Sequence, residues 1–181
     1  TGARLILGTQ RRAEVVELLE QAVREGKQIC AVEALTQAPF ESLTITEQEE
    51  HTRAILKIQE GCNNHCTYCI IPSVRGPIRS RPLAEIRTEA ERLAAAGFTE
   101  LVLTGIHLSS YGRDLQDGTT LLDAIAQVQA AEGVRRIRLG SLEPTIATPE
   151  FASALKQMDK VCPQFHLALQ SGSDTVLARV A

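Results

Sequence analysis

The chain reads as an α/β protein: the first half of a parallel (β/α) barrel of TIM type, preceded by the end of a smaller α/β domain. Two observations predict this. Short apolar runs alternate with longer stretches of helical periodicity across short links marked by Gly or Pro, the pattern of βαβ units on a parallel sheet. In the second part of the chain, the C-terminal end of every apolar run also carries polar or glycine-rich sequence, as the mouth of such a barrel does.

Taken in order, Arg4-Leu5-Ile6-Leu7 is a short buried strand ended by Gly8. Val15, Val16, Leu18, Leu19, Ala22 and Val23 then recur at helical spacing, and Gly26 stops the helix. Residues 1–26 are therefore read as the C-terminal part of a preceding domain. Periodicity fades over 27–52, where Pro39 and the acids Glu41, Glu47, Glu49 and Glu50 suggest a linker.

Residues 53–181 form the half-barrel. Its first strand runs from Ala54 to Gln59, with a cysteine loop at its end. Leu83 to Ala96 is a helix entered through Pro82 and closed by Gly97. Glu100 to Gly105 is the second strand, and Thr120 to Ala131 the helix after it. Arg136 to Leu139 is the third strand. The next helix starts at Thr148-Pro149-Glu150, with Thr as cap, Pro in the first turn and an acid at the positive dipole end. Phe165 to Leu169 is the fourth strand, and Asp174 caps the last helix. The chain opens without Met close to a strand and stops inside a helix, so a fragment of a longer protein is expected.

Composition narrows the function classes. The 181 residues are 44% hydrophobic with a net charge of −3, which argues against gripping nucleic acid by bulk charge and leaves only local patches for it. No apolar stretch approaches the ~20 residues that span a bilayer, so no membrane partner is expected. Five cysteines, an odd number with three crowded into one loop, do not form a secreted disulfide framework. A reducing, cytoplasmic location is expected.

The crowded three are Cys62, Cys66 and Cys69, in Gly61-Cys62-Asn63-Asn64-His65-Cys66-Thr67-Tyr68-Cys69. Three thiolates without a fourth leave a coordination position open, on a single metal or on one iron of an iron–sulfur cluster. A zinc knuckle with His65 as fourth ligand is the plainer alternative, although His65 directly precedes Cys66 and adjacent side chains converge poorly on one ion.

The later strand ends supply Thr104-Gly105-Ile106-His107, Ser141-Leu142-Glu143-Pro144 and Gln170-Ser171. Each has a plain reading. Gly105 can be a turn residue, His107 a loop residue satisfied locally, and Glu143 a solvated carboxylate or an acceptor for a ligand amine. Gln170 and Ser171 can orient a turn or bond a ribose. Cys162 suits a small apolar filler and Cys30 a structural role. Arg75, Arg79 and Arg81 lie in a stretch without any acid, either a solvated loop or, at the rim of the mouth, a phosphate contact.

These residues resemble a known family. The cysteine loop, with Tyr68 before its last Cys, is similar to the signature of the radical S-adenosylmethionine superfamily. The wider string Glu60 to Pro72, followed by Arg75-Gly76 and Ser80-Arg81-Pro82, resembles the methylthiotransferases. Thr104 to His107 with Tyr111-Gly112 resembles the branch that places a methylthio group at C2 of N6-threonylcarbamoyladenosine beside the tRNA anticodon.

The resemblance implies that Cys62, Cys66 and Cys69 ligate a 4Fe–4S cluster whose fourth iron binds S-adenosylmethionine. Reductive cleavage of that cofactor gives a 5′-deoxyadenosyl radical. Tyr68 would lie near the adenine, Thr104 and Gly105 near the methionine amino group, and Ser141, Glu143, Gln170 and Ser171 facing the ligand. It further implies a tRNA substrate, with Arg75, Arg79 and Arg81 as RNA contacts, and an electron donor of flavodoxin or ferredoxin type. A second 4Fe–4S cluster, held by cysteines of the N-terminal domain, belongs to the full-length protein only, so no full turnover is expected from these 181 residues. The alternatives are another tRNA adenosine or a ribosomal protein as substrate, and, in another class, an iron–sulfur or zinc module without radical chemistry.

Overall fold

A computed structural model describes residues 2–35, 39–41 and 52–180. Glu47, Glu49 and Glu50 of the expected linker lie outside the described residues. The chain begins with strand β1 (Leu5–Leu7), helix α1 (Val15–Glu25) and strand β2 (Ile29–Ala31). β1 and β2 pair in parallel, Leu5 opposite Ile29, so the opening strand and helix are closed by a second strand. That strand lies in the stretch read as linker. Three residues, Ile29-Cys30-Ala31, are too short a run to show a period. Only Leu18 and Ala22 of α1 are buried.

The larger body follows as β3 (Ala54–Lys57), β4 (Gln59–Glu60), α2 (Ile71–Arg75), β5 (Arg79–Ser80), α3 (Leu83–Ala95), β6 (Glu100–Thr104), α4 (Leu121–Ala130), β7 (Arg136–Leu139), α5 (Pro149–Lys156) and α6 (Asp174–Val180). β3, β6 and β7 form a parallel sheet in that order. Each strand is linked to the next through a helix, as expected for the opening units of a barrel. The Thr148 hydroxyl caps α5 by accepting from the Phe151 amide at 3.2 Å.

Strand alternation positions the core. Register stacks Ala54, Leu101 and Ile137 in one row and Leu56, Leu103 and Leu139 in the next, all buried. Against these rows pack Ile86, Ala90 and Leu93 of α3 and Leu121, Ala124, Ile125 and Val128 of α4. Each fully buried Leu or Ile contributes about 1.5–3 kcal/mol of transfer free energy. The intervening residues point to the opposite, barrel-interior face, where Ile55 is half exposed and Val102 partly exposed.

Two expected strands differ. The first is interrupted: its pairing with β6 ends at the bond from Ile58 N to Thr104 O, and Gln59–Glu60 pairs instead with Arg79–Ser80 in an antiparallel ribbon. The fourth, Phe165 to Leu169, is reduced to a parallel bridge between Leu142 and Leu167. The Leu142 amide donates to His166 O at 2.9 Å and the Ala168 amide to Leu142 O at 2.8 Å. Its pairing is one-sided, and Phe165, Leu167 and Leu169 stay exposed, so the ladder does not lengthen.

Candidate metal centre

The cysteine loop leaves the sheet where β4 ends. Gly61 makes the turn with φ +73°, and a Cβ there would stand 2.0 Å from Pro77 O, so the position requires Gly. The Cys62 amide donates to Gly76 O at 3.1 Å, Ile78 N donates to Asn63 Oδ1 at 3.0 Å, and Cys69 N to Cys66 O at 2.9 Å. All three cysteines are free and partly buried. Burial pushes the Cys62 thiol up, and Cys66, Cys69 and Glu143 add to this, while the Asn64 amide at 3.4 Å works the other way. The Tyr68 phenol is likewise pushed up, first by desolvation and then by the Cys66 and Cys69 thiols.

The thiols therefore share one electrostatic environment, whose mutual repulsion when ionised a cation relieves. Soft thiolates suit iron–sulfur or zinc chemistry. Among the described residues no group of three or more His, Cys, Asp or Glu stands at metal-ligating spacing, so the donor set fits such a group in chemistry while its cage is not drawn together. His65 is exposed.

The other sequence-selected residues gather unevenly. Tyr68 donates its hydroxyl to Gln170 Oε1 at 2.6 Å, tying the cysteine loop to the fourth strand end. Asn64 Nδ2 donates to Glu143 Oε1 at 3.1 Å, tying it to the third. Thr104 ends β6, and its carbonyl accepts from Ile58 N at 2.9 Å. Ser141 stands apart, its hydroxyl 2.7 Å from His166 Nδ1. Ser171 is engaged within its own turn, accepting from Ser173 N at 3.1 Å.

The reading of the arginine stretch as a solvated loop is corrected at Arg79 and Arg81, while Arg75 stays partly exposed. Arg79 and Arg81 are each only 6% exposed. Arg75 Nη1 donates to Glu60 Oε1 at 3.2 Å, and Arg12 Nη2 lies 3.3 Å from Glu60 Oε2, with Lys57 Nζ against the same carboxylate. Arg79 Nη2 donates to Arg75 O at 3.0 Å, whereas Arg79 Nη1 and Arg81 Nε are buried without hydrogen-bond partners. The stretch turns inward because β5 pairs with β4, which carries buried Glu60 as the local counter-charge. Burial, then Arg12 and Arg75, lower Lys57 to about 8, against the raising effect of Glu41.

Two residues to which the sequence assigned no site role prove central. Gln59 is fully buried: its Nε2 donates to Glu60 O at 2.9 Å and Gly61 O at 2.8 Å, and its Oε1 accepts from His107 N at 2.7 Å. His107, expected to be satisfied locally, is 8% exposed, with both ring nitrogens lacking hydrogen-bond partners. Its Nε2 lies 2.9 Å from Glu143 Oε2 without the alignment of a hydrogen bond. The available signal was a polar amide directly after the mostly apolar run Ala54 to Ile58, at the point where the strand meets the cysteine loop.

A parallel βα-repeat with a three-cysteine loop at the mouth of its first strand is the arrangement of one enzyme class, and residues 56–181 match the radical SAM superfamily model. The chain belongs to the radical SAM superfamily. It is 40% identical over 181 residues to the threonylcarbamoyladenosine tRNA methylthiotransferase MtaB of Bacillus subtilis (strain 168), covering 99% of this chain and 40% of that protein. It is 35% identical over 176 residues to the tRNA-2-methylthio-N(6)-dimethylallyladenosine synthase of Clostridium tetani, covering 97% of this chain and 39% of that protein. The chain thus spans about two fifths of the length of these relatives. In fold it is similar to the radical S-adenosylmethionine methyltransferase TsrM of Kitasatospora setae, with a TM-score of 0.54 and 22% identity over 69% of this chain and 23% of that one. No described helix is long and apolar enough to cross a membrane.

Proposed function

We propose that the protein containing this chain is a radical S-adenosylmethionine methylthiotransferase acting at C2 of N6-threonylcarbamoyladenosine beside the tRNA anticodon. The observation that carries this is the 40% identity to the Bacillus subtilis enzyme across 99% of the chain, cysteine loop and Thr104–Tyr111 loop included. The hydrogen bonds from Asn64 to Glu143 and from Tyr68 to Gln170 support it, because they gather three loops at the C-terminal mouth of one sheet.

In this reading Cys62, Cys66 and Cys69 hold a 4Fe–4S cluster. When bound, the cluster with S-adenosylmethionine supplies a 5′-deoxyadenosyl radical for hydrogen abstraction. The chain's own residues bind and enclose. Tyr68 offers an aromatic face for an adenine, anchored at its hydroxyl by Gln170. The backbone at Thr104 and Gly105 offers peptide groups to the methionine end, and Ser141 and Ser171 border the opening. tRNA, an electron donor of flavodoxin or ferredoxin type, a second cluster outside this chain and a cytoplasmic location complete the proposal.

The test is anaerobic reconstitution of the full-length protein with iron and sulfide, followed by reduction. 5′-Deoxyadenosine formed with S-adenosylmethionine, and lost on Cys66→Ala, is the expected result; none from the wild type overturns the radical step. Offering tRNA bearing threonylcarbamoyladenosine beside tRNA bearing dimethylallyladenosine then decides the branch. A methylthio product only on the second would overturn the substrate assignment.

A further inference from the structure

We propose that Gln59 and Glu143 are positioning residues that hold the cysteine loop from two sides against the neighbouring strand ends. The purpose of the loop rests on the function proposed above; the clamp itself rests on geometry alone.

A glutamine amide carries two donor hydrogens and one acceptor oxygen. In Gln59 all are used inside a fully buried side chain. The nitrogen takes two consecutive carbonyls, Glu60 O and Gly61 O, where the chain turns out of β4. The oxygen takes the His107 amide from the loop after β6. No other side chain at this position satisfies two carbonyls and one amide at once. Glutamate is isosteric but offers oxygens to the carbonyls. Leucine or alanine leaves three buried backbone groups unpaired, each a desolvation penalty.

Gly105 follows from the same contact. A Cβ on it would lie 2.7 Å from Gln59 Oε1 and 2.8 Å from Gln59 Cβ, so a side chain at 105 would drive Gln59 off its carbonyls. The want of a side chain there is explained by Gln59.

The second hold comes from the loop after β7. Glu143 accepts from Asn64 Nδ2 at 3.1 Å, and its own amide donates to Ser109 Oγ at 2.9 Å, fixing it to the β6 loop. Gln59 and Glu143 meet at His107, one at its main-chain N–H and the other 2.9 Å from its ring Nε2. Between the anchored residues Gly61 and Asn64 sits Cys62. Its position is set by chain contacts before any ligand arrives, whereas Cys66 and Cys69 lie beyond the second hold.

The experiment uses the full-length protein in two forms. In the metal-free form, amide hydrogen exchange is followed at Cys62, Asn64 and His107. Gln59→Glu is expected to raise exchange at these amides about tenfold while the α4 core keeps wild-type rates. Glu143→Ala should raise exchange at Asn64, and Glu143→Gln, whose amide oxygen can still accept from Asn64, should restore it. Thr120→Ala, which removes the exposed and remote α4 cap, should leave these amides unchanged.

In the reconstituted form, Gln59→Glu should shift the electron paramagnetic resonance g-values of the reduced cluster and raise KM for S-adenosylmethionine, with Thr120→Ala again silent. Wild-type exchange at residues 62–64 in a folded Gln59→Glu protein would overturn the clamp. So would a rise spread evenly over the molecule. Should Gln59→Glu not fold, the Glu143→Ala and Glu143→Gln pair decides by the same criterion. A wild-type protein that binds no cluster would sink the proposed function while leaving the exchange result standing.

Discussion

The cysteine loop, residues 61–70, and the arginine stretch, 71–82, are neighbours in sequence and opposites in environment. The loop is rich in small polar residues and has its thiols only partly buried. The stretch carries Arg75, Arg79 and Arg81 without an intervening acid, yet Arg79 and Arg81 are among the most buried polar residues of the chain. Charge density says where a segment can be solvated. Where it goes is decided by pairing: β5 completes the ribbon with β4, and Glu60 accepts Arg12, Lys57 and Arg75 from three directions. The loop is open because its contacts are backbone turns and a few side-chain ties, at Gly61, Asn63, Asn64 and Tyr68; the stretch is closed because a buried carboxylate needs cations around it.

Gly61→Ala strikes the boundary between the two regions and should have the largest effect. With φ at +73° and a Cβ 2.0 Å from Pro77 O, either the loop or the stretch must move. A loss of at least ~3 kcal/mol in denaturant unfolding is expected. A near-wild-type midpoint would mean the two segments are not held together.

Glu60→Gln comes next, removing the carboxylate that three cations share while keeping its shape. A loss of ~2–3 kcal/mol is expected, smaller than for a fully buried pair because Arg12, Lys57 and Arg75 are each about a third exposed. Arg79→Met should cost less than ~1 kcal/mol, since the guanidinium gives up one hydrogen bond, to Arg75 O, and Nη1 has none to lose. If Arg79→Met were as costly as Glu60→Gln, the stretch would be held by Arg79 and the contrast would need redrawing.

The smallest effect is a pH slope. Burial, with Arg12 and Arg75, holds Lys57 down to about 8 from 10.5. Between those values the unfolded chain binds the proton that the folded chain has released, so this group adds stability as pH rises. Lys57 is about a third exposed, which trims the effect. Urea midpoints of wild type and Lys57→Met compared at about pH 7.5, just below the folded value, and about pH 10, near the unfolded one, should diverge, wild type gaining relative to the variant. Parallel slopes would remove the cation cluster as the cause.

Much of the barrel was legible because its signals are local. Leu83 to Ala95, Glu100 to Thr104, Leu121 to Ala130 and Arg136 to Leu139 formed where period, caps and glycine stops put them. β2, β4 and β5 were not legible, being two or three residues long and defined by their partners rather than by any pattern. Phe165 to Leu169 has the composition of a strand but shares only one bridge with its neighbour, because a ladder needs a partner along its length.

The spacing of Cys62, Cys66 and Cys69 and the family to which the chain belongs were determined by the sequence alone, since both reside in residue order. Only the tertiary structure decided that Gln59 closes on Gly61 and His107, that Glu143 reaches Asn64, and that the arginines turn inward. Each of these joins residues from separate strands or loops, and a buried polar group is defined by the partner that satisfies it, wherever in the chain that partner lies.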